Sequence, residues 1–268
     1  MGISYGAPQF FFHVPKTGGS TIKAYLIDRF GRDNVAFPQK TKTYLADVCL
    51  GRKFRDVPEG RPCIYGHWAS LSIIRGQEDH YNKVCFWRHP ADYVLSYYNW
   101  SLHTERKRSL LRRSYSLMDL EGSLPHNPMT QDFLLYCGDV PGWRYFLMSD
   151  RKKFEEAIRL ARRFDVFADV SEVDAYLKAS NLLNEGGIER RNTVPVRDIE
   201  SLDDAARQRL ERLNPVDYYV HRYSVCADKA AVIFEARAAL TVSFSWRDLV
   251  RTLSRPGRRF KVKVVARL

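Results

Sequence analysis

The stretch Phe10–Tyr25 reads FFFHVPKTGGSTIKAY and decides the fold. Its apolar start predicts a buried strand, Gly18 and Gly19 predict a tight turn, and a helical pattern follows. The start of a helix presents unpaired backbone N–H groups and a dipole that favours negative charge. Glycines let the backbone approach an anion closely, and Lys16 adds a cation. The stretch therefore predicts a site for a phosphate-like group at a strand-to-helix turn.

The turn differs from the Walker A loop, in which the lysine follows the last glycine. Here Lys16 precedes both glycines. An ordinary strand-to-helix connection whose helix is capped by Ser20 or Thr21 is the alternative interpretation of this stretch taken alone.

A second segment, Val84–Ser101, reads VCFWRHPADYVLSYYNWS. The apolar run Val84–Trp87 predicts a buried strand, and Pro90 suits the first turn of a helix. Arg88 and Ser96 can converge on one anion across this turn, because a guanidinium offers a bidentate fork and a hydroxyl offers a further donor. Taken singly, the two residues are equally compatible with a structural ion pair and a solvated serine.

Together the two segments resemble the sulfotransferases that use 3′-phosphoadenosine 5′-phosphosulfate (PAPS). In that family a PKTG/S-type loop binds the 5′-phosphosulfate side, and an Arg-x-Pro…Ser-x-Tyr segment binds the 3′-phosphate. The resemblance implies PAPS as co-substrate, 3′,5′-ADP as product and no metal. It implies that the nucleotide is bound by Pro15, Lys16, Thr17, Gly18, Gly19, Ser20, Thr21, Arg88 and Ser96.

The form HVPKTGGST is most similar to the carbohydrate branch of that family, which includes the glycosaminoglycan O-sulfotransferases. Two weaker segments are similar to the same branch. Asn127–Asp139 resembles a mid-chain Met-Thr-x-Phe-Leu segment, and Leu202–Ser224 resembles a late Asn-x-x-Asp-x-x-x-Tyr helix. The resemblance extends from about Phe10 to about Ala239.

The segment Cys63–Leu71, CIYGHWASL, resembles the Gly-His segment of the heparan-type 2-O-sulfotransferases, in which that histidine is the general base. The resemblance implies this role for His67. An imidazole with a pKa near 6.5 suits the removal of a hydroxyl proton near neutral pH. A packed or surface histidine is the alternative for His67, and His13 and His89 are predicted to be structural or supporting residues.

The reaction implied is sulfuryl transfer to a hydroxyl of a carbohydrate or glycoconjugate. His67 takes the proton, the hydroxyl oxygen attacks sulfur in line, and Lys16 stabilises charge on the bridging oxygen. A nucleotide kinase or ATPase is the catalytic rival, but such an enzyme usually places a carboxylate at the end of a neighbouring strand, where this chain has Arg88. A non-catalytic nucleotide- or glycan-binding protein on the same fold is the third hypothesis.

Three further segments are candidate walls of the site. Phe37–Arg61 is predicted to be an irregular insertion beside the acceptor. The basic run in Ser101–Leu124 predicts either a solvated helix face or a wall for an acidic acceptor. Glu189–Pro195, ERRNTVP, could close over the 3′-phosphate through Arg191, although the Arg-Lys-Gly form common in the family is absent.

The chain has 268 residues and a net charge of +12, which suits a positive cleft and permits an anionic acceptor or a membrane surface. No nucleic-acid recognition module is recognisable. The five cysteines are scattered without zinc-ligand spacing, so reduced thiols and no metal site are predicted. No signal segment or bilayer-spanning run is found, which predicts a cytoplasmic enzyme of bacterial origin, unless the chain is a trimmed Golgi lumenal domain.

Short apolar strands alternate with helical patterns, which predicts an α/β fold. Specifically, we expect a P-loop-like doubly wound sheet, mainly parallel, with helices on both faces. Residues 1–245 are assigned to one domain and 246–268 to a basic C-terminal extension. The predicted strands are Gln9–Val14, Pro62–Tyr65, Val84–Trp87 and Asp165–Ala168. The predicted helices are Ser20–Phe30, Ala91–Arg108, Thr130–Cys137, Lys152–Arg163, Glu172–Asn184, Asp203–Leu213 and Pro215–Leu240.

Overall fold

The computed structural model describes residues 7–38, 60–108, 126–180 and 202–240, and for 101–108 it describes only the helical backbone. Several predicted segments therefore lie wholly or mostly outside the described residues. These are the insertion Phe37–Arg61, the basic run of Ser101–Leu124, the loop Glu189–Pro195 and the extension Trp246–Leu268.

Five described strands form one parallel sheet in the order β2–β3–β1–β4–β5. The strands are β1 (Gln9–Phe12), β2 (Val35–Ala36), β3 (Cys63–Gly66), β4 (Asn82–Trp87) and β5 (Val166–Asp169). Strand β1 is central and pairs in parallel with β3 and β4. Because these strands run the same way, their carboxyl ends meet at one edge, which is where open α/β sheets bind ligands.

Helices cover both faces of the sheet. They are α1 (Gly19–Phe30), α2 (Pro90–Arg108), α3 (Pro128–Asp132), α4 (Gly142–Leu147), α5 (Asp150–Ala161), α6 (Val173–Ala179), α7 (Asp204–Leu213), α8 (Pro215–Val225) and α9 (Lys229–Ala239). Strand side chains alternate between faces, so Phe10 and Phe12 pack in a core with α2, α5 and α8. Phe11 packs on the opposite face with α1 and α6. The predicted α/β architecture, doubly wound with a parallel sheet, is confirmed.

Three predictions about the helices were wrong in detail. The helix predicted at Glu172–Asn184 is α6, Val173–Ala179, which ends at the C-cap residue Ser180. The predicted helix Pro215–Leu240 is two helices, because Cys226 is extended and the carboxylate of Asp228 caps a new helix by accepting a hydrogen bond from Ala231 N. The predicted helix Thr130–Cys137 begins earlier, at Pro128, and its second half is a π-helical turn, Phe133–Cys137. Strand β2 and helix α4 were not predicted.

Two Asn-Pro helix starts cap each other and support the end of β4. The Asn127 side-chain oxygen accepts from Asp217 N at 3.2 Å. The buried Asp217 carboxylate accepts from Met129 N at 3.1 Å and from Thr130 N at 2.7 Å, which satisfies the first amides of α3. The Asp217 carbonyl also accepts from the Trp87 indole at 3.3 Å. The two weaker resemblance segments therefore meet in a structural contact behind Arg88.

Within the described ranges, none of the helices is both long and apolar enough to cross a bilayer.

Candidate active site

Three neighbouring strands end at the candidate site. Strand β1 leads through His13 into the turn of residues 15–21, which we call the anion loop. Strand β3 is followed by His67, and β4 is followed by Arg88. Because β3 and β4 flank β1 in the sheet, the structure brings Lys16, His67 and Arg88 to one edge.

The anion loop is shaped by two left-handed residues. Lys16 has φ 66° and Gly18 has φ 78°. Helix α1 begins at Gly19, and the N–H groups of Thr21 and Ile22 bond to the Gly18 carbonyl. No side chain accepts a capping bond at this helix start. The cap by Ser20 or Thr21 that the alternative interpretation assumed is not the one observed, because Gly18 occupies the N-cap position; the anion site itself stays a prediction.

Three side chains donate hydrogen bonds to backbone carbonyls of the anion loop and of Val14, which precedes it. The buried Thr17 hydroxyl donates to Val14 O at 2.7 Å. The Tyr65 hydroxyl donates to Gly19 O at 2.7 Å, and Arg88 Nη1 donates to Lys16 O at 2.8 Å. These bonds tie the carbonyls of Val14, Lys16 and Gly19 to other parts of the protein and so help to fix the shape of the anion loop.

Two cations lie together in the site. Burial and the nearby charge of Arg88 lower the pKa of Lys16 to about 8. Burial also lowers the pKa of Arg88, and this is opposed by the carboxylates of Asp92 and Asp169. The Lys16 ammonium lies 5.3 Å from the ring centroid of Trp100, whose side chain is 44% exposed. A bound anion would relieve the repulsion between the two cations, so the donor set fits a phosphate or phosphosulfate.

His67 has its tautomer fixed. Its Nδ1 lies 2.7 Å from the His13 carbonyl oxygen, and because a carbonyl only accepts, Nδ1 carries the proton. The unprotonated Nε2 is then the basic atom of a neutral imidazole. Burial lowers the pKa of His67 below its usual 6.5, opposed by the bond to His13. A neutral ring with a free lone pair at Nε2 is the form that a general base requires.

The His13 ring is packed inside the site. It stacks on His67 with ring centroids 4.4 Å apart and on Tyr65 at 5.5 Å. Burial, together with the charges of His67 and Lys16, lowers the pKa of His13 well below 6.5. A Cβ on Gly19 would lie 1.8 Å from His13 Nε2, so glycine is required there for the ring to fit. The prediction of a supporting role for His13 agrees with this position.

The other predicted residues are less closely tied to the site. Pro15 and Thr21 are partly exposed and Ser20 is exposed. Ser96 lies in α2 and is partly exposed, and its convergence with Arg88 on one anion stays a prediction. Arg191 lies outside the described residues.

The sequence reasoning missed a carboxylate–imidazole pair next to Arg88. His221 Nε2 lies 3.0 Å from Asp169 Oδ2, and Asp169 Oδ1 accepts from Ser171 N at 2.8 Å. Burial raises the pKa of Asp169, but the bonds from His221 and Ser171 outweigh it and hold the pKa well below the usual value. One signal was available, because Asp169 directly follows the predicted strand Asp165–Ala168.

His89 joins the same region to the late helices. Its Nε2 lies 3.1 Å from Glu211 Oε1, and its Nδ1 lies 3.2 Å from Arg207 Nη1. The His89 ring also contacts the His221 ring edge-on, with centroids 5.1 Å apart. These contacts place His89 between α7, α8 and the turn that carries Arg88, a position compatible with the structural or supporting role predicted for it.

No protein-family model matches this chain, and no curated protein matches it significantly. Among solved structures, a crystal structure described as a sulfotransferase from Alicyclobacillus acidocaldarius is similar at 14% identity, with a TM-score of 0.42. The match covers 84% of this chain and 98% of the other.

Proposed function

We propose that the chain is a PAPS-dependent sulfotransferase acting on a hydroxyl of a carbohydrate or glycoconjugate. PAPS would supply the sulfuryl group and leave as 3′,5′-ADP. The observation that carries the proposal is the meeting of an anion loop, two cations and a tautomer-fixed histidine at the ends of three adjacent parallel strands. In-line transfer of a charged group to a hydroxyl needs a loop that positions the donor, cations that offset the developing negative charge and a base that takes the hydroxyl proton.

His67 is the general base of the proposed reaction. Its Nε2 accepts the proton of the acceptor hydroxyl while the new bond between oxygen and sulfur forms. The bond between sulfur and the bridging oxygen of the 5′-phosphate breaks in the same step. The His13 carbonyl holds the Nδ1 proton, and this hydrogen bond stabilises the imidazolium that results.

Lys16 and the amides of the anion loop bind the 5′-phosphate of PAPS, which leaves as part of 3′,5′-ADP. A charged lysine beside the bridging oxygen offsets the negative charge that develops as the bond to sulfur breaks. Arg88 keeps the loop in place through the Lys16 carbonyl and is the predicted partner, with Ser96, of the 3′-phosphate.

The kinase or ATPase hypothesis is less well supported. A carboxylate does end a strand near the loop, at Asp169 on β5. Its two oxygens, however, are engaged by His221 and by Ser171 N. Metal-assisted phosphoryl transfer uses such a carboxylate to hold Mg²⁺, and here the carboxylate is committed to other partners.

The acceptor is proposed to bind next to Trp100. The exposed indole lies on α2 next to Lys16, so a group that packs on it would lie beside the reacting centre. An indole has an apolar face and a polar N–H at its edge. It can therefore pack against a sugar ring, which also combines apolar C–H groups with polar hydroxyls. A carbohydrate hydroxyl is therefore the favoured acceptor, with other hydroxyl-bearing molecules as the alternatives for a substrate panel.

The decisive variant is His67→Ala, assayed with labelled PAPS and a glycan panel. The variant should bind 3′,5′-ADP like the wild type and lose about 10²- to 10⁴-fold in transfer, the usual contribution of a general base. His80→Ala is the matched control, because His80 is exposed in a turn remote from the loop in sequence and sheet position. Near-normal turnover by His67→Ala would refute the assignment of the base, and no transfer by the wild type to any acceptor would favour a binding protein.

A further inference from the structure

Lys16 has a backbone conformation that residues with a Cβ rarely adopt. Its φ of 66° places it in the left-handed region, where the Cβ crowds the following carbonyl. Glycine is the usual residue in this conformation, and Gly18 takes the other left-handed position of the same loop. A lysine in this state needs contacts from its surroundings to hold it there.

Arg88 provides such a contact from a rigid element. Its Nη1 donates to the Lys16 carbonyl at 2.8 Å, and a hydrogen bond from a charged donor is among the stronger kinds. Arg88 follows the fully buried Trp87 at the end of β4, which is paired in register with β1. The guanidinium that follows β4 therefore donates to the anion loop that follows the neighbouring strand β1.

The contact to Lys16 is compatible with a second task for the same side chain. A guanidinium carries five N–H donors in a planar fork, so one bond to a carbonyl leaves capacity for a phosphate. The carboxylates of Asp92 and Asp169 lie close enough to favour the charged guanidinium. Arg88 can therefore act on the loop and on a 3′-phosphate at once.

We propose that Arg88 is a positioning residue for the anion loop: its hydrogen bond to the Lys16 carbonyl holds Lys16 in the left-handed conformation and so shapes the site for the 5′-side phosphate. This role differs from the 3′-phosphate contact predicted for Arg88 and Ser96. The inference rests on the proposed function for the choice of nucleotide, while the claim about the loop conformation does not depend on it.

The first test is calorimetric titration with 5′-ADP, which lacks the 3′-phosphate. Arg88→Ala should weaken 5′-ADP binding by about 5- to 30-fold, the factor that corresponds to the cost of a left-handed residue. Ser96→Ala is the control, and it should weaken 3′,5′-ADP but leave 5′-ADP unchanged. If Arg88→Ala binds 5′-ADP within about twofold of the wild type, a difference too small for such a cost, the inference is overturned.

The second test needs no ligand. Lys16→Ala keeps a Cβ and with it the left-handed cost, whereas Lys16→Gly removes that cost. Adding Arg88→Ala should lower the Tm by about 2–8 °C less in the Lys16→Ala background than in the Lys16→Gly background, because only the alanine loop regains the left-handed cost when it relaxes. Equal losses in both backgrounds would show that Arg88 does not act through the conformation of residue 16.

The two proposals fail in different ways. A wild-type protein that binds 3′,5′-ADP no more tightly than 5′-ADP contradicts the PAPS site. The ligand-free comparison of the Lys16 backgrounds then still decides whether Arg88 positions the loop.

Discussion

Substituting Gly19 by alanine tests the packing of the site against ordinary helix propensity. Gly19 is the first residue of α1, and a glycine-to-alanine change inside a helix normally stabilises a protein by about 0.5–1 kcal/mol. Here the new Cβ would lie 1.8 Å from His13 Nε2, 2.1 Å from Cε1 and 2.3 Å from Cδ2. The ring cannot move aside easily, because it is stacked on His67 and Tyr65.

The expected result is therefore a loss of stability. Overpacking of this kind costs about 1–3 kcal/mol, and subtracting a propensity gain of about 0.5–1 kcal/mol leaves a net loss of up to about 2.5 kcal/mol. Urea denaturation measures this difference directly. We also expect kcat to fall, because a displaced His13 carries with it the carbonyl that accepts the Nδ1 proton of His67.

A second substitution isolates the cause. In a His13→Ala background the clash is gone, so Gly19→Ala should cost less there, with a coupling energy equal to the overpacking cost of about 1–3 kcal/mol. Gly18→Ala is the comparison, because among the described residues its Cβ would meet just Val170 Cγ2, at an ordinary contact distance of 3.6 Å, so its cost is assigned to φ 78°. Additive effects of Gly19→Ala and His13→Ala, or a stabilised single variant, would refute the packing argument.

Two further predictions concern pH. The general base His67 is active when neutral, above its lowered pKa, and Lys16 is active when charged, below a pKa of about 8. The profile of kcat/KM should therefore rise below pH 6.5 and fall near pH 8, and a rate that still climbs through pH 9 would exclude Lys16 from the reaction. Burial raises the pKa of Asp217 to about 6 from 3.8, despite its bonds from Met129 and Thr130, so the protonated form is favoured on folding. Its stabilising contribution is present below about pH 4 and lost as the pH rises through 6, about 3 kcal/mol in all. Urea denaturation should therefore show that the free energy of unfolding of the wild type, relative to that of Asp217→Asn, is lower at pH 7 than at pH 4. The same difference between the two proteins at both pH values would contradict this prediction.

The sheet could be predicted because its strands are locally encoded. Each run, such as Phe10–Phe12 or Val84–Trp87, is almost wholly apolar, as expected of parallel strands buried on both faces. Predicted and observed strand ends differ by two residues or fewer, as at Gln9–Phe12 and Asn82–Trp87. The anion loop was predicted for the same reason, since its glycines and following helix are adjacent in sequence.

The contacts that complete the site could not be predicted, because they join residues far apart in the chain. The bond from Arg88 to the Lys16 carbonyl spans 72 positions, and the pair of His221 with Asp169 spans 52. Nothing local in the sequence specifies which carbonyl a guanidinium will reach. The break at Cys226 was missed for a different reason: no glycine or proline marks it, and the helix restarts on the side-chain cap of Asp228.

The central claim is that this chain has a PAPS site, and one comparison tests it most directly. Purified protein is titrated calorimetrically with 3′,5′-ADP and with 5′-ADP, the latter with and without Mg²⁺. A 3′-phosphate held by charge-assisted hydrogen bonds should favour 3′,5′-ADP by roughly 10- to 150-fold, independent of Mg²⁺. Equal binding of the two nucleotides, or a preference for 5′-ADP that depends on Mg²⁺, would contradict the claim and support the kinase hypothesis.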